Sequence, residues 1–85
     1  MTITLYDAIS TAPVADGMIL LDGRTGRYWQ LNTTGALILK ALLAGATVAE
    51  AVRHLRRHHP RLPADQARRD VTALIASLRD ARLTR

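Results

Sequence analysis

Two short apolar segments, separated by a glycine-containing turn and followed at once by a helix-forming run, constrain the fold of this chain most. Residues 18–22 read MILLD and residues 28–32 read YWQLN. The turn between them contains Gly23 and Gly26, and glycine can adopt the positive φ that a tight reversal requires. We therefore predict an antiparallel hairpin whose second strand passes directly into a helix.

A further strand is predicted before the hairpin, over residues 3–6, which read ITLY. Residues 12–17 contain a proline and a glycine and are predicted to separate this strand from the hairpin. Together with the hairpin, this gives a three-stranded antiparallel sheet.

Three helices are predicted after the hairpin. Asn32 or Thr33 can cap the first helix, and Thr47 can cap the second, with Glu50 completing a capping box. The third helix follows Pro63, and its apolar residues have the i, i+3, i+4, i+7 spacing of a single stripe. They are Val71, Leu74, Ile75 and Leu78. Strands followed by helices predict an α+β, winged helix-turn-helix-like fold in a single domain over residues 1–85.

A chain of 85 residues leaves little material for a catalytic cavity, and it contains no cysteine. We expect a soluble, cytoplasmic protein that is not an enzyme and has no cofactor, because no apolar run has the length of a membrane span. His54 and His58 have the spacing of a metal-binding pair. However, the residues between them include Arg56 and Arg57, which disfavour a cation, so no metal site is predicted.

The net charge of +5 comes entirely from the second half of the chain. Residues 1–42 have three cationic and three acidic side chains, whereas residues 43–85 have nine arginines and four acidic side chains. An anionic partner, either an acidic peptide or nucleic acid, fits this distribution, as does a solvated basic face. A winged-helix DNA-binding regulator is the alternative function, although Asp65, Asp70 and Asp80 interrupt the basic residues of the third helix.

The order of these motifs resembles PqqD-like proteins, the peptide chaperones of pyrroloquinoline-quinone biosynthesis and their relatives. The matching pieces are LLD at residues 20–22, YWQLN at 28–32, G-x-T-V-x-E-x-V-x-x-L at 45–55 and D-V-x-x-L-I-x-x-L at 70–78. The resemblance implies a recognition element that binds the leader segment of a ribosomally synthesised precursor peptide. It is most like a free-standing member of a lasso-peptide pathway that works beside a leader peptidase and a cyclase.

The implied mechanism is strand addition in the groove between the third strand and the third helix. An unpaired strand edge offers N–H and C=O groups to an extended peptide, and it can also pair with a second copy of the chain to form a homodimer. Alternation places Tyr28 and Gln30 on one face of the strand and Arg27, Trp29 and Leu31 on the other, and either face could contact the peptide. The candidate leader-binding residues are Arg27, Tyr28, Trp29, Gln30, Leu31, Arg68, Val71, Leu74, Ile75, Leu78 and Arg79. Arg68, Arg69 and Arg79 are candidates for binding leader carboxylates.

Overall fold

The computed structural model describes residues 3–85 as a three-stranded antiparallel sheet followed by three helices. This is the predicted α+β architecture. The strands are in the order β1-β2-β3 within the sheet. The elements are β1 (Ile9–Val14), β2 (Gly17–Asp22), β3 (Tyr28–Asn32), α1 (Thr33–Leu43), α2 (Val48–His58) and α3 (Ala64–Asp80).

The first strand lies later in the chain than predicted. β1 contains residues 12–14, half of the segment that was expected to separate the first strand from the hairpin, and it pairs with β2 around a two-residue turn at residues 15–16. Pro13 fits because β1 is an edge strand, where a missing N–H need not interrupt the ladder. Of the predicted strand at residues 3–6, only Leu5 forms a bridge, and its partner is Thr84 near the other end of the chain.

The predicted hairpin of β2 and β3 is confirmed, with Leu20 opposite Trp29 and Met18 opposite Leu31. In its turn only Gly26 has a positive φ, of 75°, so the expectation that Gly23 would share this conformation is wrong. Gly17, at the start of β2, is required for a different reason. A Cβ built there would lie 1.8 Å from the carbonyl oxygen of Leu31.

The helix caps agree with the sequence. The Asn32 side chain accepts a hydrogen bond of 2.8 Å from the backbone N–H of Gly35 and caps α1. Thr47 and Glu50 form the reciprocal bonds of a capping box at α2. These bonds satisfy amides that have no partner within the helix, and they define where each helix begins.

α1 lies between the sheet and the other two helices. Ala36 and Leu39 belong to the cluster that contains buried residues of the sheet, whereas Ile38 and Leu42 belong to the cluster shared with α2 and α3. Leu74 of α3 packs against both clusters. The hydrophobic core therefore depends on a helix that is buried on two faces.

We predict that Gly17→Ala lowers the free energy of unfolding by at least about 2 kcal/mol, because the added Cβ would force β2 and β3 apart. Gly26→Ala is the matched control. A Cβ at Gly26 would enter open space, so alanine there should lower the free energy of unfolding only by the cost of its left-handed backbone conformation, about 1 kcal/mol. Chemical denaturation of both variants measures the difference. Equal losses would show that the close contact at Gly17 does not constrain the sheet.

Candidate functional site

A groove runs between β3 and α3. β3 is an edge strand, and none of its Cα atoms lies within 8 Å of a Cα atom of α3. Both elements instead pack on α1, which forms the floor between them. We call this depression the β3–α3 groove.

One end of the groove is a cavity of about 410 Å³ beside the C-terminal half of β3. Ile38 lies at its floor, and Gly35 allows α1 to approach β3, since a Cβ there would be 3.3 Å from the Cβ of Leu31. The lining residues come from β3, α1 and α3. They are Gln30, Leu31, Asn32, Thr34, Gly35, Ile38, Asp70, Ala73 and Leu74.

The other end of the groove is a cavity of about 350 Å³ between the hairpin turn and the end of α3. It is much more basic than the first cavity, since three arginines line it. The full set is Asp22, Arg24, Thr25, Arg27, Trp29, Ala81 and Arg82. Trp29 provides an apolar surface there, and the Arg27 guanidinium lies 5.5 Å from the centre of its ring.

The side chains of β3 alternate as predicted, and the structure identifies the inward face. Trp29 and Leu31 are half-buried against the cluster beneath the sheet, and both belong to the groove lining. Tyr28 is 69% exposed and points to the opposite face of the sheet. Trp29 and Leu31 therefore occupy the face that an occupant of the groove would meet.

The backbone of β3 leaves a row of groups facing the groove. The amide of Asp22 donates a 2.9 Å hydrogen bond to the carbonyl of Arg27, so the residue that precedes β3 bonds toward β2. Antiparallel ladders alternate, and Trp29 and Leu31 therefore also bond toward β2. The N–H and C=O groups of Tyr28 and Gln30 and the N–H of Asn32 then point to the free edge. These are the groups to which another strand could pair.

The predicted helix residues divide into two sets. Leu74 is half-buried and lines the first cavity, as a groove residue should. Val71, Ile75 and Leu78 are at most 5% exposed and belong to the core, so their side chains support the groove from beneath rather than line it. Arg68 and Arg79 are exposed on α3, outside the lining of both cavities.

Several lining residues were not identified from the sequence. Asp70 lies one turn before Leu74 and Ala73 directly before it, and all three border the groove, so the helical period could have found Asp70 from Leu74.

Arg82 follows the helix, and its place in the lining depends on how the chain turns after α3. Asn32 and Gly35 line the groove because α1 begins immediately after β3.

Residues 3–85 contain no group of three or more side chains positioned to hold a metal ion. The two histidines considered above are neighbours on α2. Their ring centroids are 4.8 Å apart, and Nδ1 of His58 lies 3.2 Å from the backbone carbonyl oxygen of His54. In the same part of the chain, no helix has the length and apolar character needed to cross a lipid bilayer.

Comparison with known families identifies the chain. The family described as coenzyme PQQ synthesis protein D (PqqD) matches residues 17–83. The chain belongs to the PqqD family. The match covers the hairpin, all three helices and both ends of the β3–α3 groove, and it confirms the resemblance found in the sequence.

Two solved structures are similar over the whole chain or nearly all of it. One is a lasso peptide synthetase B1 complexed with the leader peptide, at 38% identity and a TM-score of 0.90, covering 100% of this chain and 99% of that one. The other is TbiB1 in complex with the TbiA(beta) leader peptide, at 26% identity and a TM-score of 0.83, covering 99% of this chain and 94% of that one. Comparison with curated protein sequences gives no significant match.

In this PqqD-family chain, a network of hydrogen bonds joins the hairpin turn to the end of α3. The Arg24 guanidinium donates two 3.0 Å bonds to the Asp22 carboxylate, and it also donates a 2.8 Å bond to the carbonyl of Arg82. Asp22 is buried, and its hydrogen bond with the Arg24 side chain holds the pKa of its carboxyl group below the usual value. The network keeps the basic end of the groove in place.

We predict that Asp22→Asn destabilises the protein at neutral pH and that its cost disappears in acid. Because the folded-state pKa of Asp22 is lowered, its stabilising effect is fully present above the unfolded-state pKa of about 3.9 and is lost as the pH falls through the folded-state value. Denaturation from about pH 7 to about pH 3 should therefore show the two unfolding free energies converging. Asp16→Asn, in the exposed turn between β1 and β2, is the control. If the unfolding free energies of the original protein and of Asp22→Asn differed by the same amount at every pH, the role of the ion pair would be contradicted.

Proposed function

We propose that residues 1–85 form one non-catalytic recognition domain that binds the leader segment of a ribosomally synthesised precursor peptide. The observation that carries this proposal is the free edge of β3 beside a groove that Leu31, Ile38 and Leu74 line together with polar side chains. The two structural neighbours are complexes with leader peptides and share the fold over the whole chain. A lasso-peptide precursor is accordingly the substrate class that we propose.

In the proposed mode of binding, the leader adds to the edge of β3 as a fourth, antiparallel strand. The outward N–H and C=O groups of Tyr28 and Gln30 and the N–H of Asn32 would pair with its backbone, which provides affinity with little dependence on sequence. Alternate side chains of the leader would point into the groove and contact Leu31, Trp29 and Leu74. Specificity would come from these side chains.

The magnitudes favour apolar contacts as the main source of affinity. Exposed ion pairs contribute only about 0.2–1 kcal/mol each, so Arg68 and Arg79 would steer a leader and discriminate among leaders rather than anchor them. A micromolar dissociation constant corresponds to about −8 kcal/mol, which a few buried side chains and a strand ladder can supply. The buried residues Val71, Ile75 and Leu78 would contribute by holding α3 at the correct distance from β3.

Binding without catalysis can still accelerate maturation. A domain that holds the leader raises the effective concentration of the cleavage or modification site near an enzyme that it also contacts. We propose a leader peptidase as the main partner enzyme and a cyclase as a further one. In the absence of a leader, the same edge of β3 is available to a second copy of the chain, which would form a homodimer that competes with the leader.

DNA binding is the weaker alternative. The third helix of a winged helix reads DNA with a polar, basic face, and here Asp65, Asp70 and Asp80 interrupt that face. Phosphates would be repelled by these carboxylates.

The first test is fluorescence anisotropy with a labelled leader peptide from a precursor gene adjacent to the gene for this chain. A labelled DNA duplex is titrated in parallel at low and high salt. We expect saturable leader binding near micromolar concentration and, at most, weak DNA binding that salt removes. Tight DNA binding with an inert leader would overturn the proposal and favour the winged-helix regulator.

Strand addition itself predicts that Gln30→Pro weakens leader binding about tenfold or more, because proline removes an N–H that faces the free edge. Gln30→Ala keeps this N–H and is the matched control, with an affinity expected within about twofold of the original protein. Circular dichroism confirms that both variants are folded. Equal affinities for the two variants would show that the leader occupies the groove without pairing to β3.

A further inference from the structure

We propose that the basic end of the β3–α3 groove binds a side-chain carboxylate of the leader. This carboxylate belongs to an aspartate or glutamate in the C-terminal part of the leader segment that pairs with β3. The binding groups are the guanidinium groups of Arg27 and Arg82. This inference rests on the proposed leader binding and adds the chemical identity and direction of what is bound.

The charges around this cavity are not balanced. Arg24, Arg27 and Arg82 line it together with one carboxylate, that of Asp22. Asp22 already forms an ion pair with Arg24, with Nε and Oδ1 3.0 Å apart. Neither Arg27 nor Arg82 forms an ion pair with any residue in the range 3–85. The cavity thus has two cationic side chains whose charge an incoming carboxylate would neutralise.

The backbone at Arg82 supports a role for its side chain. Arg82 has a φ of +58°, a left-handed conformation that favours glycine, at the point where the chain leaves α3. Its carbonyl oxygen is held by the Arg24 guanidinium, and its amide bonds to the carbonyl of Arg79. Glycine would satisfy the same backbone bonds without the conformational cost, so the fold alone does not account for an arginine.

The opposite end of the groove has the opposite charge, which gives the groove a direction. Asp70 lines the first cavity, and its carboxylate accepts a 2.8 Å hydrogen bond from the neutral amide of Gln66. A strand that adds antiparallel to β3 places its N-terminal residues beside Asn32 and its C-terminal residues beside Arg27. The groove therefore favours a leader whose acidic residue lies toward the C-terminal end of the paired segment, and it disfavours the reverse orientation.

A double-mutant cycle tests the contact, using the leader whose binding is measured as described above. Arg27→Gln and Arg82→Gln are each expected to weaken binding of the unmodified leader about two- to fivefold. When the acidic residue of the leader is replaced by the corresponding amide, the leader should bind weakly to the unmodified protein. Either arginine substitution should then lower its affinity little further. Arg53→Gln, on the exposed face of α2, is the matched control and should leave both affinities unchanged.

Arg82→Gly separates binding from folding. Glycine relieves the left-handed conformation, so this variant should remain at least as resistant to denaturation as Arg82→Gln while binding the leader equally weakly. Millimolar inorganic phosphate at constant ionic strength should not displace the leader. Efficient displacement would indicate a site for free anions and would overturn the assignment to a peptide carboxylate.

The outcomes distinguish this inference from the function on which it rests. A leader that does not bind the unmodified protein contradicts the proposed function itself. A leader that binds equally well after the arginine substitutions, or that has no acidic residue in the C-terminal part of the paired segment, overturns only the carboxylate site. Losses that are additive across the cycle would also overturn it, because they would show that the arginines and the leader carboxylate do not interact.

Discussion

The direct passage from β3 into α1 is the constraint on which the rest of the structure depends. Asn32 is both the last residue of β3 and the N-cap of α1, so no loop separates the strand from the helix. The absence of a side chain at Gly35 allows α1 to lie close against β3. α1 then buries Leu39 toward the sheet and Ile38 toward α2 and α3. A helix with two buried faces holds the sheet and the helical layer at a fixed separation.

The groove is a consequence of this arrangement. α3 packs on α1 rather than on β3, and the edge of β3 is left unpaired above the floor that α1 provides. An unpaired edge promotes aggregation in most proteins, but here a wall and a floor restrict what can reach it. The Arg24 network joins the hairpin turn to Arg82, two residues beyond α3, and Arg27 and Arg82 give this far end a positive charge. The same elements that stabilise the fold therefore define the shape and charge of the site.

The sequence predicted the site in outline and missed its details for a physical reason. Alternation along β3 correctly separated Trp29 and Leu31 from Tyr28, but only packing shows which set faces inward. The apolar stripe of α3 was correct as a stripe, yet Val71 and Ile75 are core residues, because the most apolar face of a helix is the one buried most deeply. The groove is bordered by the neighbouring, less apolar positions, where Asp70 and Ala73 lie. A search limited to the stripe of large apolar residues could not find them.

The sequence by itself determined the local structure of this protein: the β2–β3 hairpin, a cap for α1 at Asn32 or Thr33, the capping box at Thr47, the start of α3 after Pro63 and the family to which the chain belongs. These features depend on residues close together in the chain, where turn chemistry, capping and hydrophobic periodicity act. It did not determine the position of β1, because a tight two-residue turn and the tolerance of Pro13 at an edge depend on the sheet as a whole. Only the tertiary structure placed Arg82 and Arg27 in the lining of one cavity and Asp70 and Gln30 in the lining of the other, since these residues come from distant segments whose separation is set by packing on α1.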